Sequence, residues 1–102
     1  MIRHCVWVKF RSDVGSDERA SIYADLAALK DRVPGLERAS FGPNVSPEGL
    51  GQGFADGFTM DFADAGARDA YLVHSDHQAA GARLVAAAEG GLAGILVFDI
   101  EV

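Results

Sequence analysis

Cysteine is nearly missing from this chain: Cys5 is the one thiol in 102 residues. No internal disulfide can form, and no CxxC or Cys/His cluster offers a zinc site. Set within an apolar run, Cys5 is expected to be reduced and buried. Basic residues are also scarce, nine Lys and Arg against fifteen Asp and Glu, for a net charge of −6. A phosphate backbone or an anionic membrane would be repelled, and no basic run interrupts the acidic balance, so neither nucleic acid nor membrane is expected as a partner. No apolar stretch approaches the ~18 residues that a membrane span needs. The first ten residues have no small-residue cleavage site, and a cytoplasmic protein is expected. The glycine-rich pieces Gly49–Gly53 and Gly90–Gly91 lack the Gly-Lys-Ser/Thr of a phosphate loop and are turns. The three His and the many Asp fall at no recognised ligand spacing, so neither a metal nor an organic cofactor is expected.

What is present is enough for one core. Hydrophobic residues make up 49% of the chain, and the length suits a single domain, residues 1–102. A domain this small leaves much of its surface uncovered, so association with a second copy would help it.

The apolar periods give an order of elements. Ile2, His4, Val6, Val8 and Phe10 point one way in a strand, with Arg3, Cys5, Trp7 and Lys9 pointing the other. The second face carries Cys5 and Trp7 between cations, as if it too were covered. Ser16 reads as a helix N-cap with Asp17 and Glu18 in the first turn. Ile22, Leu26, Leu29 and Val33 then form one helical stripe that Pro34-Gly35 ends. Leu36 to Phe41 is a short strand, Gly42 to Gly49 a turn-rich loop, and Phe54 to Phe62 an alternating strand with Asp56 as its odd polar member. A helix from about Asp64 to Val73 follows. Ser75-Asp76-His77-Gln78 has the form of a capping box, with Ser75 as N-cap, which predicts a break near His74 and a second helix to about Ala88. The last strand, Ile95 to Ile100, is apolar enough to be central. The result is an α+β chain of order β-α-β-β-α-β with a split second helix, the ferredoxin-like pattern.

Several pieces of this chain occur in a characteristic order: His4 in the first strand, Val33-Pro34-Gly35, Gly42-Pro43-Asn44-Val45-Ser46-Pro47-Glu48, Gly57-Phe58-Thr59-Met60-Asp61-Phe62, Tyr71 with His74 and His77, and Val97-Phe98-Asp99. Together they resemble the stress-responsive A/B barrel (Dabb) family over Ile2 to about Ile100. The resemblance implies a homodimer in which two ferredoxin-like sheets face each other as a dimeric α/β barrel. Most functions in that family are loosely defined. One member, a polyketide cyclase, works by aldol condensation without a cofactor, and its catalytic Tyr and His correspond to Tyr71 and His77, with a strand His corresponding to His4. The third-strand His of that enzyme is replaced here by Asp56, and its first-helix aromatics by Ile22, Tyr23 and Leu26, so its substrate does not carry over.

The chemistry of these residues can be stated independently. On one continuous helix Tyr71 and His77 would lie on different sides; a break at Ser75 could turn His77 back toward Tyr71. A neutral imidazole can take a proton from an acidic carbon, and a phenol can hydrogen-bond the developing oxyanion. A helix N-terminus tends to keep His77 uncharged. The structural alternative is that Tyr71, His74 and His77 only fix the turn, with His74 as a C-cap. His4 is either a satisfied core residue or a group lining a site. Asp56 either pairs with His4, His77 or an Arg, or sits at the open edge of its strand. Val6, Val8, Leu26, Phe58, Met60 and Val97, with Ile22 and Ile95, would supply an apolar lining for a small ligand held between the helices and the sheet. Three functions fit: a cofactor-independent enzyme for a small apolar carbonyl compound, a non-catalytic stress-associated or ligand-binding dimer, and a structural module.

Overall fold

The computed structural model describes residues 1–102. In chain order the elements are β1 (Ile2–Val8), α1 (Ser16–Ala27), a 3-10 turn (Ala28–Asp31), β2 (Leu36–Pro43), β3 (Asp56–Phe62), α2 (Ala65–Val73), α3 (Ser75–Ala87) and β4 (Ile95–Glu101). The four strands form one antiparallel sheet in the order β2-β3-β1-β4. Both helical connections cross the same face, which is the ferredoxin-like arrangement.

That face carries the core. The apolar positions of β1 and β3 (Val6, Val8, Phe58, Met60, Phe62) meet the stripe Ile22, Leu26, Leu29 and Val33, and Tyr71, Ala80 and Leu84 close the cluster from α2 and α3. Complete burial of Val8, Leu29, Met60 and Phe62 contributes about 1.5–3 kcal/mol each as apolar area removed from water. The opposite face has no helix over it. Its rows run Leu96–Trp7–Gly57–Gly42, Phe98–Cys5–Thr59–Ser40 and Ile100–Arg3–Asp61–Arg38. Cys5 is nevertheless buried, and burial raises its thiol pKa.

Several boundaries differ from the sequence expectation. Strand β4 is not central but lies at the edge beside β1. Its apolar side chains therefore stay about half exposed, and Val97, expected to line a site, is 52% exposed. An apolar run reports a need for cover, and within this one chain β4 does not receive it. The N-cap of α1 is Gly15, not Ser16, and Gly15 makes no side-chain cap. The N-cap of α3 is His74, not Ser75: the His74 Nδ1 accepts from the Asp76 backbone N–H at 3.1 Å. Each Ser stands one position inside its helix, because the neighbouring residue already adopts the extended backbone that a cap requires. Strand β1 ends at Val8, with Phe10 kept only as an isolated bridge to Ala88, and β3 begins at Asp56 instead of Phe54.

Candidate functional site

The break between α2 and α3 is a single residue. His74 has φ −65° and ψ 133°, an extended conformation that ends one helix and starts the next. Its N–H bonds the Tyr71 carbonyl at 3.1 Å, and its carbonyl accepts from Gln78 at 3.0 Å. It is thus the C-cap of α2 and the N-cap of α3 at once. The change in direction brings the His77 ring to 4.2 Å from the Tyr71 ring, centroid to centroid.

Each side chain of this corner is oriented by something identifiable. The His77 Nδ1 lies 3.2 Å from the Leu72 carbonyl oxygen. A carbonyl can only accept, so Nδ1 carries the proton and Nε2 keeps a free lone pair. A Cβ added at Gly81, one turn along α3, would meet that Nε2 at 3.9 Å. Burial lowers the His77 pKa; the Leu72 carbonyl opposes this, and the charges of His4 and His74 add to the lowering. Neutral imidazole is the favoured form. Tyr71 is fully buried, its hydroxyl has no hydrogen-bond partner, and burial raises its pKa. The Tyr71 hydroxyl therefore makes no bond that would fix the turn, whereas His74 does serve as the C-cap of α2.

Behind Tyr71 stands His4, 5.8 Å away ring to ring and edge-on. It is buried, and it is paired: His4 Nδ1 lies 2.7 Å from Asp99 Oδ1, directly across the β1–β4 ladder. Arg68 of α2 reaches the other oxygen of Asp99 at 2.6 Å. Burial alone would raise the Asp99 pKa, but the bonds from Arg68 and His4 outweigh it and leave it lowered. Arg68, Asp99, His4, Tyr71 and His77 thus form one continuous set running from α2 through the sheet to the start of α3. Sequence reasoning did not connect Asp99 with His4. The available signal was that His4 is the lone polar residue on its face of β1, and that Asp99 follows Ile95 and Val97 on the facing row of β4.

Asp56 pairs with neither His4 nor His77. Its carboxylate is 3.7 Å from Arg19 of α1, and burial raises its pKa against the pull of that cation. Beside it Tyr23 packs on Phe10, Phe41 and Phe58 with its own hydroxyl buried and unpartnered. The expected apolar lining divides. Val6, Val8, Leu26, Phe58 and Met60 are core residues packed against one another, whereas Val97 lies outside. The space between α1, the split helix and the sheet is therefore filled by side chains. A cavity of about 740 Å³ exists elsewhere, between the loop after β2 and the helix-free face; of the expected residues it touches only Asp56 and Phe58. Nowhere do three His, Cys, Asp or Glu side chains converge as a metal ion would need.

Sheet order, a helix split at a His, and a buried Tyr–His corner define the class: a ferredoxin-like α+β protein of the A/B barrel type. The chain belongs to the stress-responsive A/B barrel domain family, whose model matches residues 2–102. It is 38% identical to a dimeric ferredoxin-like protein of unknown function from a Jannaschia species, with 99% of this chain and 98% of that one covered and a TM-score of 0.92. A Dabb family protein from Mesorhizobium loti is 26% identical, with 99% and 95% covered and a TM-score of 0.76. The hydroxynitrile lyase of Passiflora edulis shares the fold at 18% identity, with 99% and 92% covered and a TM-score of 0.87. No curated protein matches the chain. No helix is long and apolar enough to cross a membrane.

Proposed function

We propose that this protein is a homodimeric, cofactor-independent catalyst of proton transfer on a small, apolar carbonyl compound, with His77 as general base and Tyr71 as the donor to the developing oxyanion. The observation that carries the reading is the Tyr71 hydroxyl, buried without a partner beside an imidazole whose lone pair is free. A buried donor left unpaired costs roughly 1–3 kcal/mol, and a substrate oxygen would supply the missing acceptor. His77 Nε2 removes the proton next to the carbonyl, charge builds on the oxygen, and the phenol O–H stabilises it. His4, held by Asp99 and Arg68, fixes the Tyr71 ring from behind. A substrate enters at the helix break, where His77 is half-buried, and not through a deep cavity. The fold relationship to a lyase agrees with small-molecule chemistry without deciding it.

The homodimer rests on the helix-free face. Leu96, Phe98 and Ile100 stand there side by side, each 45% exposed, next to Trp7, and the Jannaschia relative is dimeric. An interface on this face should exceed about 1,000 Å². Light scattering at micromolar concentration should give twice the 10.8 kDa chain mass; a monomer would refute it.

The test of the chemistry is deuterium exchange at the activated carbon of a 1,3-diketone, followed by NMR. Exchange should be catalysed by the protein, rise with pH through the lowered His77 pKa to a plateau, vanish in His77→Ala and fall in Tyr71→Phe. Undiminished exchange in His77→Ala would overturn the assignment. A second reading, a non-catalytic binding or stress-associated dimer, is favoured by the filled interior around Val8, Ile22, Leu26 and Met60, and absence of exchange in the native protein would select it.

A further inference from the structure

We propose that Arg68 is a positioning residue: by meeting the charge of Asp99 from the helix side it keeps His4 uncharged, and through His4 it sets the strength of His77 as a base. The inference rests on the reading of His77 as the base and adds a residue to that site. Arg68 stands one turn before Tyr71 on α2, so the same helix carries the phenol and the cation that governs its surroundings.

The two oxygens of Asp99 are divided between two elements. Arg68 Nη1 donates to Oδ2 at 2.6 Å, and His4 Nδ1 lies 2.7 Å from Oδ1. The Nε of the same guanidinium donates to Asp69 Oδ1 at 2.9 Å. Arg68 is thus gripped by a carboxylate on its own helix while it reaches another on the sheet, a task that suits the fixed fork of a guanidinium. The Arg68 and Asp99 side chains are each 23% exposed, so their charges are shielded from water. The Asp69 side chain is mostly exposed, and its field is screened. His4 and Asp99 lie on the helix-covered side of the sheet, clear of the face assigned to the partner copy.

Charge decides what His4 does. Its ring is buried, and a buried charge persists only when it is paired. With Arg68 present the carboxylate has its countercharge, and a neutral imidazole completes the arrangement with one N–H. Burial alone would raise the Asp99 pKa, and of the two bonds that hold it down the one from Arg68 is the larger. Without Arg68, the nearest countercharge for Asp99 is a second proton on His4. That cation would stand behind Tyr71, 5.8 Å away ring to ring, with His77 stacked on the same phenol at 4.2 Å. Burial is the main cause of the lowered His77 pKa, and charge on His4 adds to it, so a lasting cation there would weaken the base further. The surrounding charges do not compensate. His74 acts in the same direction, Asp76 is paired with Arg32, and Arg83 with Asp25. On β3, Asp61 is bonded to Arg3 on the other face and Asp56 is paired with Arg19.

The test is titration of the His77 ring by NMR in the substrate-free protein, comparing Arg68→Met, Arg68→Lys and Asp69→Asn with the native chain. Met keeps helix propensity and an unbranched stem while removing the charge. Arg68→Met should lower the His77 titration by about one pH unit, with the His4 ring in its doubly protonated form near neutral pH. The pH profile of 1,3-diketone exchange should move down with it, and the plateau rate should fall roughly threefold as the base weakens. Arg68→Lys should restore both, and Asp69→Asn should change neither. The sign is decisive: loss of a cation that acts directly through space would raise the His77 titration, whereas action through His4 lowers it. A rise would overturn the proposal, as would an unmoved titration with lost stability as the sole effect of Arg68→Met. So would an equal downward shift in a His4→Gln background, where the route through His4 is gone. The titration needs no substrate, so absence of exchange in the native protein would refute the reaction while the coupling stands or falls on the titration.

Discussion

His4 and Asp99 lie ninety-five positions apart in sequence and 2.7 Å apart across the β1–β4 ladder. The carboxylate sits opposite the imidazole because the register puts both on the helix-covered face, and Arg68 descends from α2 to neutralise it. A buried imidazole with a paired Nδ1 is fixed in tautomer and in angle. It can then present its edge to Tyr71 and Phe62.

Removing Asp99 tests that relationship. Asp99→Ala leaves the buried His4 without its partner and leaves Arg68 only its bond to Asp69, and unfolding by denaturant should show a loss of about 1–3 kcal/mol. Asp99→Asn retains a hydrogen-bond acceptor and should lose less. Equal, negligible losses would show that the pairing contributes nothing to the fold.

The Tyr71 hydroxyl makes no bond that folding would miss. Tyr71→Phe should therefore leave stability unchanged or raise it slightly, whereas Tyr71→Ala should lose about 3–5 kcal/mol from the cavity it opens. Thermal unfolding of the two variants separates these outcomes. A marked loss in Tyr71→Phe would reveal a partner for the hydroxyl.

The helix break gives a contrast between adjacent residues. His74→Ala removes the cap on the Asp76 N–H and should cost about 1 kcal/mol. Ser75→Ala, one position inside α3, should be near neutral. Both can be read from urea midpoints.

Stability should fall with acid in two stages. The native pKa of His77 is lowered, so the unfolded chain takes up that proton first, and stability erodes as pH drops below the unfolded value of about 6.5. Asp61, held down by its bond from Arg3, and Asp99 have lowered native values as well. Their contribution is complete above the unfolded carboxyl range near 3.9 and is lost as pH falls through their native pKa. Asp56, raised by burial, works the other way: its contribution is lost as pH rises. In His77→Ala the first stage should disappear from a pH series of denaturation curves while the second remains.

Cys5 is 5% exposed with its thiol pKa raised by burial. Reaction with a disulfide reagent should be slow in the native protein and fast in denaturant. Rapid native labelling would show that the helix-free face opens.

The sequence alone determined the order of the elements, because alternation and helical stripes are local properties of the chain. It also determined the break near His74, where polar capping residues interrupt an Ala-rich run. It placed Ile22, Leu26, Leu29 and Val33 in the core, since a stripe at that spacing has one face to bury. Tertiary structure decided the rest. Whether β4 is central or peripheral depends on which strand it pairs with, and its apolar run could not tell cover by helices from cover by another molecule. Asp99 found His4, and Asp56 found Arg19, through register and helix placement. A carboxylate's partner is set by what the fold brings within hydrogen-bond reach, and no local spacing encodes a contact across so much intervening chain.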